Sequence, residues 1–202
     1  MIGDWPGYPA LDGQMQQQDE QFVSTGPHRK AIEDALLMAG GCVGWRVLDV
    51  GSGPLTYMVN GDKTPSAARA FVEAAGAEYV GLDSRECVGA VLGDMHDLPY
   101  GDGEFDLVFS RHSLEHALCP YLALTEMLRV SSRWVLVVVP ADTPWCQDSP
   151  GHLYVMGRPG WENVFKRLGL RVHAFVEADI TETEDRPQTE WRYLFRVGSG
   201  AI

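Results

Sequence analysis

Residues 47–53 read VLDVGSG, an apolar run with one carboxylate that breaks into two glycines spaced by one. An acidic residue followed by Gly-x-Gly at the end of a buried strand lets a small ligand lie against bare backbone, and Asp49 sets a carboxylate where a cation could be held. Two other patterns compete for such glycines. A dinucleotide fingerprint needs a third glycine where Thr56 stands, and a phosphate-cradling loop needs Gly-Lys-Ser/Thr, which the chain lacks. A plain strand-to-helix turn is the alternative reading of Gly-x-Gly alone.

Further carboxylates stand at similar places. Asp83 closes AEYVGLD (77–83), where an acidic residue can accept both hydroxyls of a ribose, or cap a helix. Gly93-Asp94-Met95 closes GAVLGD (89–94). A carboxylate there can accept from an adenine exocyclic amine, and a methionine side chain can pack on the ring. His112 and His116 lie four apart in SRHSLEH, a spacing that puts both on one side of a helix. Histidine is the natural proton acceptor near neutral pH. An HxxxH pair can also hold a metal, but no third ligand stands at a recognisable spacing, and no metal is expected. For each histidine, a packing or surface role is the alternative.

The elements that must position these residues follow from periodicity. Residues 19–40 contain a helix in their second half, after an irregular arm at 1–18 that is rich in Gly, Pro and Gln. Strands are read at 45–50, 77–83, 89–94, 104–110 and 133–140, the last apolar throughout, as when both sheet faces are covered. Helices are read at 65–76, over HSLEHAL and YLALTEMLRV, and at 161–169. A loop is read at 56–64. Two last strands, 170–177 and 190–197, have no helix between them and can pair antiparallel at one edge. Alternating strands and helices predict an α/β fold with a mostly parallel sheet, whose ligands sit at the carboxyl ends of the strands.

The ordered series VLDVGSG (47–53), YVGLDS (79–84), GDMHDLPYGDGEFDLVFSRHSLEH (93–116) and ALTEMLRV…WVLVVVP (123–140) resembles the class I S-adenosylmethionine-dependent methyltransferases, in particular the small-molecule methyltransferase-domain group. The resemblance covers about residues 45 to 140. It implies a Rossmann-like, doubly wound, seven-stranded sheet in one domain over 1–202, with S-adenosylmethionine as cofactor. By position it implies that Asp49, Gly51 and Gly53 contact the amino-acid part of the cofactor and that Asp83 binds the ribose, with Ser84 beside it. Asp94 and Met95 would hold the adenine, and Ser110 and Arg111 would line the sulfonium end. The chain departs from the family pattern where Pro54-Leu55 replaces the usual third glycine, and where only SRECV separates the second and third strands.

Methyl transfer needs alignment and exclusion of water, and a base only where the acceptor must lose a proton. His112, His116 and His152 are the base candidates. His152 lies in ADTPWCQDSPGHLYVMGRPGW (141–161), expected to help form the acceptor pocket with Trp145, Tyr154 and Arg158. In the alternative reading its aromatics only pack the loop on the sheet.

Composition narrows the acceptor. Net charge is −12, with Lys and Arg scattered, which disfavours nucleic acid and leaves a small molecule methylated at O, N or C. An RNA methyltransferase, and a protein that binds the cofactor without methyl transfer, are the competing readings. The chain has no apolar run of membrane-spanning length. Its opening lacks the basic start and apolar middle of a secretory signal, and its four cysteines form no CxxC. A cytoplasmic protein with reduced thiols is expected. The sequence sets no oligomeric state.

Overall fold

The computed structural model describes residues 26–59, 62–147, 151–180 and 188–198. The arm at 1–18 lies outside them. In chain order the elements are α1 (Gly26–Met38), β1 (Arg46–Val50), β2 (Thr56–Val59), β3 (Asp62–Pro65), α2 (Ala67–Ala74), β4 (Glu78–Asp83), β5 (Val91–Leu92) and β6 (Phe105–Arg111). A 3-10 turn (Leu114–His116) follows, then α3 (Pro120–Val130), β7 (Ser131–Pro140), α4 (Pro144–Gln147), α5 (Arg158–Arg167), β8 (Val172–Asp179) and β9 (Thr189–Arg196).

Seven strands form one sheet in the order β5-β4-β1-β6-β7-β9-β8. The pairs from β5 to β7 are parallel, and β9 pairs antiparallel with both β7 and β8. The expected doubly wound sheet with an antiparallel edge is thus present. Its order reverses between β1 and β6, so the carboxyl ends of β1, β4 and β6 surround the switch point at which such folds bind ligands.

Strand alternation explains the two layers. Trp134, Leu136 and Val138 of β7 face one side with Val47, Leu107 and Leu194, under Ile32 and Leu36 of α1 and Val72 of α2. Val135, Val137 and Val139 face the other with Leu48, Val50, Tyr193 and Phe195, under Leu124 and Met127 of α3 and Trp161 and Phe165 of α5. Both faces of β7 are therefore dry, and its β-branched run fits a doubly covered strand. Each such side chain contributes about 1.5–3 kcal/mol by leaving water.

Two expectations need correction. Residues 56–64 do not form a loop: β2 pairs antiparallel with β3, Thr56 opposite Pro65 and Val59 opposite Asp62. The sequence carried a hairpin signal there, the Asn60-Gly61 dipeptide between them. Nor is there one helix over His112–His116. Residues 114–116 make a single 3-10 turn, and His112 takes φ +50°, outside a right-handed helix. The two histidines share no helix face, and each meets different partners.

Candidate active site

The turn after β1 is fastened by the end of β4. Asp83, buried, accepts from Gly53 N–H at 2.9 Å through Oδ2 and from Arg85 N–H at 3.0 Å through Oδ1. Leu82 O accepts from Gly51 N at 2.8 Å and Ser52 N at 3.1 Å. One carboxylate so clamps the two loops together, and each of its oxygens keeps capacity for a second donor such as a ribose hydroxyl. Ser84, beside it, is exposed.

The two glycines of the turn serve different ends. Both have positive φ, +80° at Gly51 and +60° at Gly53. A Cβ on Gly51 would stand 2.2 Å from Ser113 Oγ, so what approaches Gly51 is the chain itself. Ser113 donates to Gly51 O at 3.3 Å. Around Gly53 a Cβ would meet nothing within 4 Å, an open cradle where backbone faces free space. Asp49 is buried and bonded by the Tyr79 hydroxyl. Burial pushes its pKa up to about 7, against the Tyr79 hydrogen bond. It braces the strand ends from within the layer under α1 rather than lying open to a cation.

Asp94 is exposed, and its Oδ1 accepts from His96 N at 2.9 Å and meets His96 Nδ1 at 2.6 Å. His96 Nε2 in turn accepts from Cys119 N at 3.1 Å, tying this corner to the start of α3. Met95 is half-buried against the core.

At the end of β6, Ser110 is fully buried and Arg111 turns inward. Arg111 Nε and Nη2 lie 3.0 and 2.8 Å from Glu190 Oε2, so this guanidinium is committed to β9. Glu190 also meets His112 Nε2 at 3.0 Å and Arg192 Nε at 2.7 Å. Arg192 reaches Asp34 of α1 at 3.0 Å, and Asp34 meets Lys30 at 2.7 Å. Burial opposes ionisation of Glu190, but His112, Arg111 and Arg192 outweigh it and hold the carboxyl down at about 2. Burial lowers His112 to about 4, with the Arg111 charge adding to it. His112 is therefore neutral at pH 7, donates Nε2–H to Glu190 and keeps its Nδ1 lone pair. It is the one non-glycine residue with positive φ among those described, and it lines a small, shallow recess with Pro140, Ala141, Thr143, Ile180, Gln188 and Thr189.

His116 and His152 come together across the segment 141–161. Their rings meet edge to face at 4.8 Å. His116 Nδ1 lies 2.7 Å from Gly151 O, and His152 Nδ1 lies 2.8 Å from Cys146 O. Burial lowers both pKa values. Glu115 O accepts from Leu153 N and Tyr154 N, and the Tyr154 hydroxyl donates to Leu118 O, so the loop docks on the 3-10 turn. The Glu115 side chain lies beneath that contact, 1% exposed, and burial pushes its pKa up to about 8.

Sequence reasoning missed Glu115, Ser113, Glu190 and Arg192. Glu190 and Arg192 left a signal: in EWRYLFR they occupy alternate positions shared with Leu194, which faces the core. Charges on the buried face of a strand imply partners on its neighbours.

This geometry has relatives. Residues 48–134 match the family described as methyltransferase domain. Ajmaline N-methyltransferase of Rauvolfia serpentina is 33% identical over 96 residues, which are 47% of this chain and 31% of that one. The matched segment runs from β1 into β7, less than half of the chain. The fold of the chain is that of S-adenosylmethionine-dependent methyltransferases. A Haloferax volcanii structure, a complex between the Trm112 methyltransferase activator and a methyltransferase, superposes with TM-score 0.66 at 18% identity, covering 92% of this chain and 94% of that one. A SAM-dependent methyltransferase from Aquifex aeolicus gives 0.62 at 14% identity, covering 90% and 98%. The chain spans about a third of the length of the curated plant relative. The residues present fit the cofactor of the class: an open glycine at Gly53, a buried carboxylate beside it with acceptor capacity left, and a half-buried methionine at 95. No helix among the described residues is long and apolar enough to cross a membrane.

Proposed function

We propose that this chain is an S-adenosylmethionine-dependent methyltransferase, cytoplasmic, that moves a methyl group to an O, N or C atom of a small molecule. The observation that carries the reading is the Asp83 clamp on Gly53 at the switch point of a matched methyltransferase domain. S-adenosylmethionine supplies a methyl group on a cationic sulfur. Asp83, with Ser84, accepts from its ribose; Asp94 and Met95 hold its adenine; the backbone at Gly53 receives its amino-acid end. Asp49 and Gly51 shape that cradle from behind, through Tyr79 and Ser113.

The acceptor lies over the small recess at His112 rather than inside it. The His112 Nδ1 lone pair, oriented by Glu190, accepts a hydrogen bond from the acceptor or relays a proton, although a group near pKa 4 is a weak base at neutral pH. Segment 141–161, carrying His152, covers this side. A net charge of −12 supports a small acceptor over a nucleic acid.

The test is incubation of the purified protein with methyl-labelled S-adenosylmethionine, in one arm with a small-molecule extract and in the other with total RNA. Label in the small-molecule fraction is expected. Label confined to RNA would overturn the substrate class, and no label in either arm would overturn methyl transfer to these acceptors.

A further inference from the structure

Glu115, His116 and His152 each offer one ligand atom, and the three atoms lie within 4.8 Å of one another. Glu115 is 1% exposed, and neither of its carboxylate oxygens has a hydrogen-bond partner among the described residues. A carboxylate without partners in a dry site is costly, and a cation beside it is one way to offset the cost. The histidines are prepared in the way metal ligands are. Each directs Nδ1 at a backbone carbonyl, His116 at Gly151 O and His152 at Cys146 O, which fixes the proton on Nδ1 and the orientation of the ring.

We propose that Glu115, His116 and His152 bind one divalent transition-metal ion of the zinc type. Two imidazoles and one carboxylate suit such an ion, and three protein ligands leave a fourth position open. The ligands come from two segments, the 3-10 turn after β6 and the loop after α4, so the ion pins loop 141–161 to the sheet end. It adds to the docking that Leu153 N, Tyr154 N and the Tyr154 hydroxyl already provide. Cys146 stands behind His152, with Sγ 3.2 Å from Nδ1, and orients the ligand without joining the set. The HxxxH spacing pointed at the wrong pair: His112 is held by Glu190, and the third ligand comes from residue 152. Ion binding stands independently of the methyltransferase reading; only coordination of an acceptor at the open position rests on it.

The full chain, stripped by chelator and dialysed, is titrated with Co2+ and followed by visible d–d absorption, with Zn2+ added as competitor. One equivalent with a d–d band displaced by Zn2+ is expected. Glu115→Gln and His152→Ala, each checked for native circular dichroism, should weaken Co2+ at least tenfold, and His152→Ala should do so even if the buried Glu115 variant does not fold. Absence of a band in the wild type overturns the site, as does a band that survives His152→Ala and His116→Ala unchanged. S-adenosylmethionine titration of the same samples separates this outcome from failure of the methyltransferase reading.

Discussion

The carboxyl edge of the sheet has two halves built on different principles. Around β1 and β4, the cradle is backbone: N–H groups of residues 53 and 85 converge on one carboxylate, and every participant lies within a few residues of a strand end. Around β6 and β9, the edge is side chain: Arg111, His112, Glu190 and Arg192 form a buried network drawn from positions up to 81 apart, and it runs on to Asp34 of α1. The first half depends on local turn geometry and the second on long-range charge compensation. Damage to the second half should therefore unfold the protein, whereas damage to the first should mainly empty it.

The largest effect should come from Glu190→Ala. It takes a carboxylate partner from two guanidinium groups in a dry layer, leaving Arg192 its contact with Asp34, and removing one partner of a buried pair costs about 3–5 kcal/mol. Chemical denaturation should show that loss. Lys30→Ala, at the exposed end of the same network, should leave the denaturation midpoint almost unmoved, as removal of a solvent-screened surface pair does. Equal costs for the two would mean that the network is not graded by burial, and the contrast between the two halves would break.

The same contrast explains what the sequence disclosed. VLDVGSG and YVGLD place their chemistry at fixed offsets from apolar runs, so the mostly parallel α/β class and the place of Asp83 at a strand end follow from the pattern. The roles of the glycines did not. Gly51 is forced by Ser113, 62 residues away, a contact no local pattern encodes. The helix expected to align His112 with His116 is absent because His112 turns left-handed, with its N–H on Val138 O and its ring on Glu190. No local pattern marks Glu115. Its burial depends on loop 141–161 closing over it, through partners 38 and 39 residues on.

A second, somewhat smaller effect concerns pH. His112 has its ordinary value near 6.5 when unfolded and about 4 when folded. Between these values the unfolded chain takes a proton that the folded chain refuses, so this residue's contribution is present above pH 6.5 and lost as pH falls toward 4. The difference amounts to roughly 3 kcal/mol. Asp49, raised to about 7, acts in the opposite direction over much of that window, so the wild-type profile alone is not diagnostic. The measurement is the pH dependence of the difference between wild type and His112→Gln, which keeps a donor for Glu190. The wild type should lose about 3 kcal/mol more than the variant between pH 7 and pH 4. A pH-independent difference would show that His112 titrates normally and is not part of the charge network.

Asp83→Ala tests the other half. It should weaken S-adenosylmethionine about 10- to 100-fold by calorimetry, equivalent to about 1.4–2.8 kcal/mol, while the global denaturation midpoint moves less than in Glu190→Ala. A variant that binds as the wild type does would remove Asp83 from the cofactor site and leave it only the clamp.

The smallest effect sharpens the comparison furthest, because it lies inside a single turn. Gly51→Ala and Gly53→Ala impose the same left-handed strain, about 1 kcal/mol for a non-glycine residue held at positive φ. Only Gly51→Ala also drives a Cβ into Ser113, at 2.2 Å from Oγ and 2.6 Å from Cβ. Its cost should exceed that of Gly53→Ala by about 1–2 kcal/mol, an overpacking penalty. Ser113→Gly in the same chain should recover much of that excess, because both clashing atoms are then gone. Gly53→Ala has no internal clash to relieve, and its methyl group projects into open space. Its effect should therefore fall on cofactor affinity out of proportion to stability. If Gly53→Ala binds S-adenosylmethionine normally, the open space beside Gly53 is not where the cofactor lies, and the glycine is there only to make the turn.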